Sequence, residues 1–137
     1  RSYVRAAIAL REALYRIFTA VARREPVPTK DVMSLNRLLR RGKVYWQLDV
    51  AAGGQLVKRI VAPDGPWGLL LAIGQSALDL LASDNVGLVR ACANPRCSVI
   101  FVDQSKNHSR RWCSMARCGN LMKVTLFYER ERVKRSA

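Results

Sequence analysis

Acidic side chains are scarce in this 137-residue chain: 10 Asp and Glu stand against 24 Lys and Arg, a formal net charge of +14. That imbalance points to a polyanionic partner, nucleic acid first and an anionic membrane surface second. Genomic bias toward Arg and Ala is the competing source of such a composition. Histidine occurs once, at His108, so neither a histidine-rich metal site nor several catalytic imidazoles can be built. No nucleophile–base motif is present, and an enzyme is not expected. Long apolar runs are also missing. The most apolar stretch, 69–82, is broken by Gln75, Ser76 and Asp79 and is too short to span a bilayer. The Arg-rich amphipathic N-terminus has no small-residue cleavage site, so no secretory signal is read. A soluble, cytoplasmic, nucleoid-associated protein without a membrane partner is expected. The chain opens at Arg1 already inside a helical pattern, which reads as a piece of a longer protein. Cysteine is absent everywhere except between 92 and 118.

Half of the residues are hydrophobic, enough for a packed core. The charge is unevenly spread. Residues 1–60 carry 13 basic and 4 acidic side chains, 61–91 carry one and three, and 92–137 carry 10 and 3. Val4, Ala7, Ile8, Leu14, Ile17, Phe18 and Val21 recur at helical spacing over 2–24, and Pro26-Val27-Pro28 stops that helix. A second helix is expected from Thr29, with Asp31 in its first turn, Val32, Leu35, Leu38 and Leu39 inward, and Gly42 at its C′ position. Residues 44–50 and 55–61 read as a β-hairpin turning at Gly53-Gly54. A third helix over about 67–82 is apolar on most sides and is expected to be central and buried.

The four cysteines form two matched pairs, Cys92-x₄-Cys97 and Cys113-x₄-Cys118, separated by fifteen residues. Zinc takes deprotonated sulfurs at roughly 2.3 Å in a tetrahedron, two from each of two tight turns. Asn94-Pro95 supplies a turn in the first pair. In a reducing compartment, metal is favoured over disulfide. Val99–Val102 reads as a strand, Gln104–His108 as a turn and Arg110–Trp112 as the returning strand, with Ser114 or Asn120 capping a helix over about 120–133. His108 falls at the tip of that hairpin and reads as a surface residue rather than a ligand. All four positions on the ion are filled by thiolate, so one structural rather than catalytic Zn²⁺ is expected. The fold class is therefore mainly α with small β. A helical domain with a β-hairpin (1–87) precedes a treble-clef-like four-cysteine finger (88–137).

The residues Cys92-x₄-Cys97, Phe101-Val-Asp-Gln-Ser-Lys-Asn107, Arg110-Arg-Trp-Cys-Ser-Met115 and Cys118-Gly-Asn120, then Lys123-Val124, resemble the CGNR zinc finger. The element order before them is similar to the ABATE domain of bacterial proteins described as candidate stress-induced transcription regulators. The resemblance implies zinc held by Cys92, Cys97, Cys113 and Cys118, and DNA binding through the finger. It departs at Leu121, where the family motif has Arg.

The expected nucleic-acid contacts are Lys106, Arg110, Arg111, Asn120, Lys123, Arg130 and Lys134; Lys123, Phe127, Arg130 and Lys134 share one helix face. Leu121, Met122, Leu126 and Tyr128 are expected to pack on the N-terminal part. About six neutralised phosphates imply a salt slope near −5. Two other readings stay open: a zinc-organised protein-interaction module, and an RNA-binding protein using the same cations with Tyr45, Trp46 or Trp112 stacking on bases. A homodimer and a small-molecule effector are compatible with the sequence, which identifies neither.

Overall fold

The computed structural model describes residues 2–136. Helices α1 (Ser2–Arg23) and α2 (Thr29–Leu39) precede a hairpin of β1 (Tyr45–Val50) and β2 (Leu56–Val61). Helix α3 (Gly65–Leu81) and a 3₁₀ turn (Asp84–Leu88) follow. Then come β3 (Val89–Ala91), β4 (Ile100–Val102), a π-helical turn (Met115–Gly119) and α4 (Asn120–Ser136). The architecture is mainly helical with small β, as the periodicities predict; of its two antiparallel sheets, β1–β2 is the expected hairpin and β3–β4 is not.

Helix α1 stops where the prolines require, but its closure is made before them. Arg24 turns left-handed at φ 58°. Its N–H donates to the Val21 carbonyl and that of Glu25 to the Ala20 carbonyl, the paired closure usually built around glycine. The buried stripe of α1 is Leu10, Ala13, Ile17 and Ala20, whereas Val4 and Ile8, expected inward, are exposed. Neighbours α2, α3 and the β3–β4 sheet all approach from the Leu10–Ala20 side. Leu10 and Ile17 pack there with Leu35, Leu38, Leu70 and Leu71.

Asp31 does more than sit in a helix's first turn. It is 2 % exposed, and both its oxygens accept from Arg16, Oδ2 from Nε at 2.9 Å and Oδ1 from Nη2 at 2.7 Å. This fork geometry ties α2 to α1. The guanidinium holds the Asp31 carboxyl below its ordinary value of 3.8. Val32, expected inward, is exposed because Asp31 takes the buried position beside it.

Gly42 is not a left-handed C′ residue. Helix α2 ends at Leu39 with Arg40 as its cap, and Gly42 instead keeps a Cβ away from Leu71 Cδ1, which it would meet at 2.6 Å. The β1–β2 register pairs Tyr45 with Val61 and Val50 with Leu56 around the Gly53-Gly54 turn. The hairpin is largely solvent-facing, with Trp46, Leu48, Val50 and Leu56 all exposed. Helix α3 is less enclosed than its composition predicts. Leu70, Leu71 and Ala77 are buried, but Leu69 and Ile73 face solvent because α1 and α2 cover one side only. Its first turn crosses the chain so closely that a Cβ on Gly68 would stand 1.5 Å from the Pro63 carbonyl oxygen.

Candidate metal centre

Strand β3 delivers Cys92 to the site. The Cys92 N–H donates to the Val99 carbonyl at 3.0 Å, extending the β3–β4 ladder one step beyond Ala91. The chain then bends through Asn94-Pro95-Arg96-Cys97, closed by Cys97 N–H to the Asn94 carbonyl at 2.9 Å. Asn94 is 4 % exposed, and its side chain serves the turn at both ends. Its Oδ1 accepts from the Arg96 N–H at 3.0 Å, and its Nδ2 donates to Cys118 Sγ at 3.4 Å. A turn residue in the sequence is thus also a sulfur ligand's hydrogen-bond donor, the kind of outer support that fixes metal ligands.

The second pair arrives differently from the expectation. Strand β4 pairs with β3 rather than with 110–112, which are not a strand. The reason is Asp103, fully buried. Its Oδ1 accepts from the N–H of Ser105 at 3.0 Å and the hydroxyl of Ser105 at 2.6 Å, and its Oδ2 accepts from Arg110 N–H at 2.9 Å. Those bonds hold its carboxyl below the ordinary range, Ser105 contributing most, and they wrap 104–110 into a loop around one carboxylate. Asp103-x-Ser105 is a local signal for such a loop, which strand patterning overlooks. His108 sits on this loop, exposed and left-handed at φ 47°, with Nδ1 3.0 Å from the Asp103 carbonyl. It lies outside the sulfur cluster, as expected.

Beyond the loop, Ala93 N–H donates to the Arg111 carbonyl at 2.9 Å, which brings the second turn onto the first. Ser114, not Asn120, is the cap: its Oγ accepts from Arg117 N–H at 3.3 Å. The π-turn closes with Gly119 N–H on the Ser114 carbonyl. Cys118 lies in that turn, and α4 starts directly after it. Asn120 is inside the helix line, its amide 3.5 Å from the Ala116 carbonyl.

The four Sγ atoms all lie within 4.8 Å of one another. Cys97 to Cys113 measures 3.8 Å and Cys113 to Cys118 3.7 Å. A tetrahedron with sulfur at roughly 2.3 Å from its centre has edges of about 3.8 Å. The same distances are far beyond a disulfide bond, roughly 2.05 Å, and all four cysteines are free. Burial alone would push the Cys92 thiol up. Hydrogen bonds from the Cys113 and Asn94 backbone and from neighbouring thiols outweigh it and bring the value to about 7. Burial and the adjacent sulfurs push Cys113 up to about 12. Thiolates crowded at this spacing need a divalent cation among them, and the cluster fits one zinc ion in charge, number and separation.

The basic residues divide. Arg110 is a brace: its guanidinium donates to the Trp112 carbonyl at 2.8 Å and to the Cys113 carbonyl, and stacks 4.9 Å from the Phe101 ring centre. Lys134 is paired with Glu131 at 3.0 Å. Lys106, Arg111, Lys123 and Arg130 are exposed and have no acidic partner among the described residues. On α4, Asn120, Lys123, Phe127, Arg130 and Lys134 fall within an arc of about 80° at 3.6 residues per turn. The expected packing of α4 on the N-terminal part does not occur: Leu121, Leu126 and Tyr128 stay exposed. The helix contacts mainly its own leading turn, and Leu121 and the half-buried Met122 line a cleft beside Pro95 of the first cysteine turn. Among the described residues, no helix is long and apolar enough to cross a membrane.

Comparison with known proteins agrees with this geometry. The model of the CGNR zinc finger matches residues 89–131. The model of the ABATE family, described as "Putative stress-induced transcription regulator", matches residues 1–84. No curated protein matches the chain. With the ABATE match covering more than half of its length and the sulfur cluster lying inside the finger match, the chain belongs to the ABATE family and carries a CGNR zinc finger holding one structural zinc ion.

Proposed function

We propose that the protein is a non-catalytic regulator that binds duplex DNA in the bacterial cytoplasm through its zinc finger, the zinc setting the shape of a basic face. The observation that carries this reading is the group of exposed cations without acidic partners around the clamp: Lys106 and Arg111 on the loop, Lys123 and Arg130 on α4. Such side chains bind phosphates, and Asn120, on the same α4 face, is the residue proposed to read a base edge. Arg110 contributes by holding the second turn, and Lys134 is engaged by Glu131. Of the six cations expected to contact phosphate, four carry neither an acidic partner nor a bracing role, which lowers the expected slope of log K against log salt to about −3.6.

The test is a salt titration of the zinc-loaded chain on duplex DNA, single strands and RNA. A slope near −3.6 on duplex, falling by roughly 1.8 in Lys123→Ala/Arg130→Ala with zinc content unchanged, supports the reading. A slope near zero, or a variant indistinguishable from the parent, refutes it. The exposed Leu121, Val124, Phe127, Tyr128 and Val133 of α4 favour one second reading, a surface that grips a protein partner. Preferred binding to RNA would instead bring in Tyr45 and Trp46, which are exposed rather than core.

A further inference from the structure

A cavity of about 590 Å³, open to solvent, lies where α1, α3 and the β3–β4 sheet converge. Leu14 and Phe18 of α1, Ile73 of α3 and Phe101 of β4 supply its apolar walls, and Arg11 and Tyr15 stand on the α1 side. The volume is within the range of roughly 300–1,000 Å³ typical of small-ligand sites, and a mostly apolar wall with few polar groups is their usual lining. Residues of α1, α3 and both strands of the β3–β4 sheet line it. Phe101 carries Arg110 stacked on its ring, so an occupant of the cavity touches the strand that bears the brace of the second zinc turn.

The charge of the lining selects the ligand. Arg11 is its one charged side chain among the described residues, and no carboxylate lines it. Arg11 Nε and Nη2 both donate to Glu12 Oε1, at 3.1 and 2.7 Å. A guanidinium has five N–H donors, so this exposed same-turn contact leaves Nη1 and one Nη2 hydrogen for another anion. The strongly cationic chain adds a favourable field for a negative head group.

We propose that this cavity binds a small amphipathic acid, its apolar body against Leu14, Phe18, Ile73 and Phe101 and its carboxylate on Arg11. The site is independent of the nucleic-acid reading and is tested without nucleic acid. The zinc-loaded chain is titrated by calorimetry with decanoate, 1-decanol and decylammonium, below their micelle concentrations. Saturable 1:1 binding of decanoate, at least about tenfold tighter than the alcohol or the amine, is the expected result. Arg11→Gln, at an exposed position and checked for fold by circular dichroism, is expected to erase the advantage of the acid while leaving the alcohol's affinity unchanged. Equal binding of all three probes, no saturable binding, or an acid preference that survives Arg11→Gln overturns the proposal. So does a concentration-dependent doubling of mass that shields Leu14 and Phe101 from probe, because the occupant is then a second copy of the chain.

Discussion

Withdrawing the zinc should unfold the finger and leave the three N-terminal helices standing. Beyond Val89, the buried apolar side chains of the described chain are Cys92 and Cys118, both of them metal ligands. Without the ion no separate core remains to hold residues 92–136. Burying a side chain such as Val89 contributes about 1.5–3 kcal/mol, whereas a structural zinc contributes about 10–16 kcal/mol of apparent binding energy. The metal term therefore dominates. Helix α4 has 17 residues, about a quarter of the α-helix in the molecule. It contains β-branched and aromatic residues and makes few tertiary contacts, so alone in water it is marginal. A picomolar-affinity chelator, or Cys118→Ser, should thus cut the ellipticity at 222 nm by about 15–25 %. One equivalent of zinc should restore the chelated wild type but not the variant. Amide exchange should stay slow in α1, α2 and α3, with some loss of protection where α1 faces β3. An unchanged spectrum and unchanged thermal transition after complete metal removal would refute the reasoning, because something other than zinc would then be holding the finger.

Replacing Ile17, 1 % exposed, by Ala should destabilise the helical part by about 2–5 kcal/mol through the cavity left among Leu35, Leu38 and Leu71, read from urea unfolding. Gly68→Ala should cost about 3 kcal/mol or more or block folding, since its Cβ must displace the Pro63 backbone; a thermal midpoint within a degree or two of wild type would contradict it. The carboxyl of Asp31 is held down by Arg16, from an ordinary value of 3.8. Its folded pKa is depressed, so the stability it contributes is complete above about pH 4 and is lost as pH falls through the lower folded value. Asp31→Asn should be less stable at pH 7, and the difference from wild type should shrink steadily below pH 4. A difference constant across that window would show that the pair is not the cause.

Much of the design was legible in residue order because it is local chemistry. Two turns of four intervening residues each, bent by Asn94-Pro95 and by Ser114, present sulfurs to one point whatever surrounds them. Helices α1, α2 and α3 and the Gly53-Gly54 hairpin follow from apolar spacing, proline and glycine. The partners of each face were not legible, because they depend on residues far apart in the chain. Asp31 and Arg16 are fifteen positions apart and meet only when α1 and α2 pack. Asp103 draws in Ser105 and Arg110, and that leaves β4 to pair with β3 instead of with 110–112. Arg110 looks like a phosphate contact in sequence, yet the fold uses it to brace two carbonyls. Helix α4, with apolar residues on several sides, looks as if it should be covered and is not. The sequence alone determined the metal, its four ligands, the helices and the sign of the surface. Tertiary packing alone decided which charges are committed to the structure and which remain free to act, since a side chain's availability depends on what the rest of the chain brings beside it.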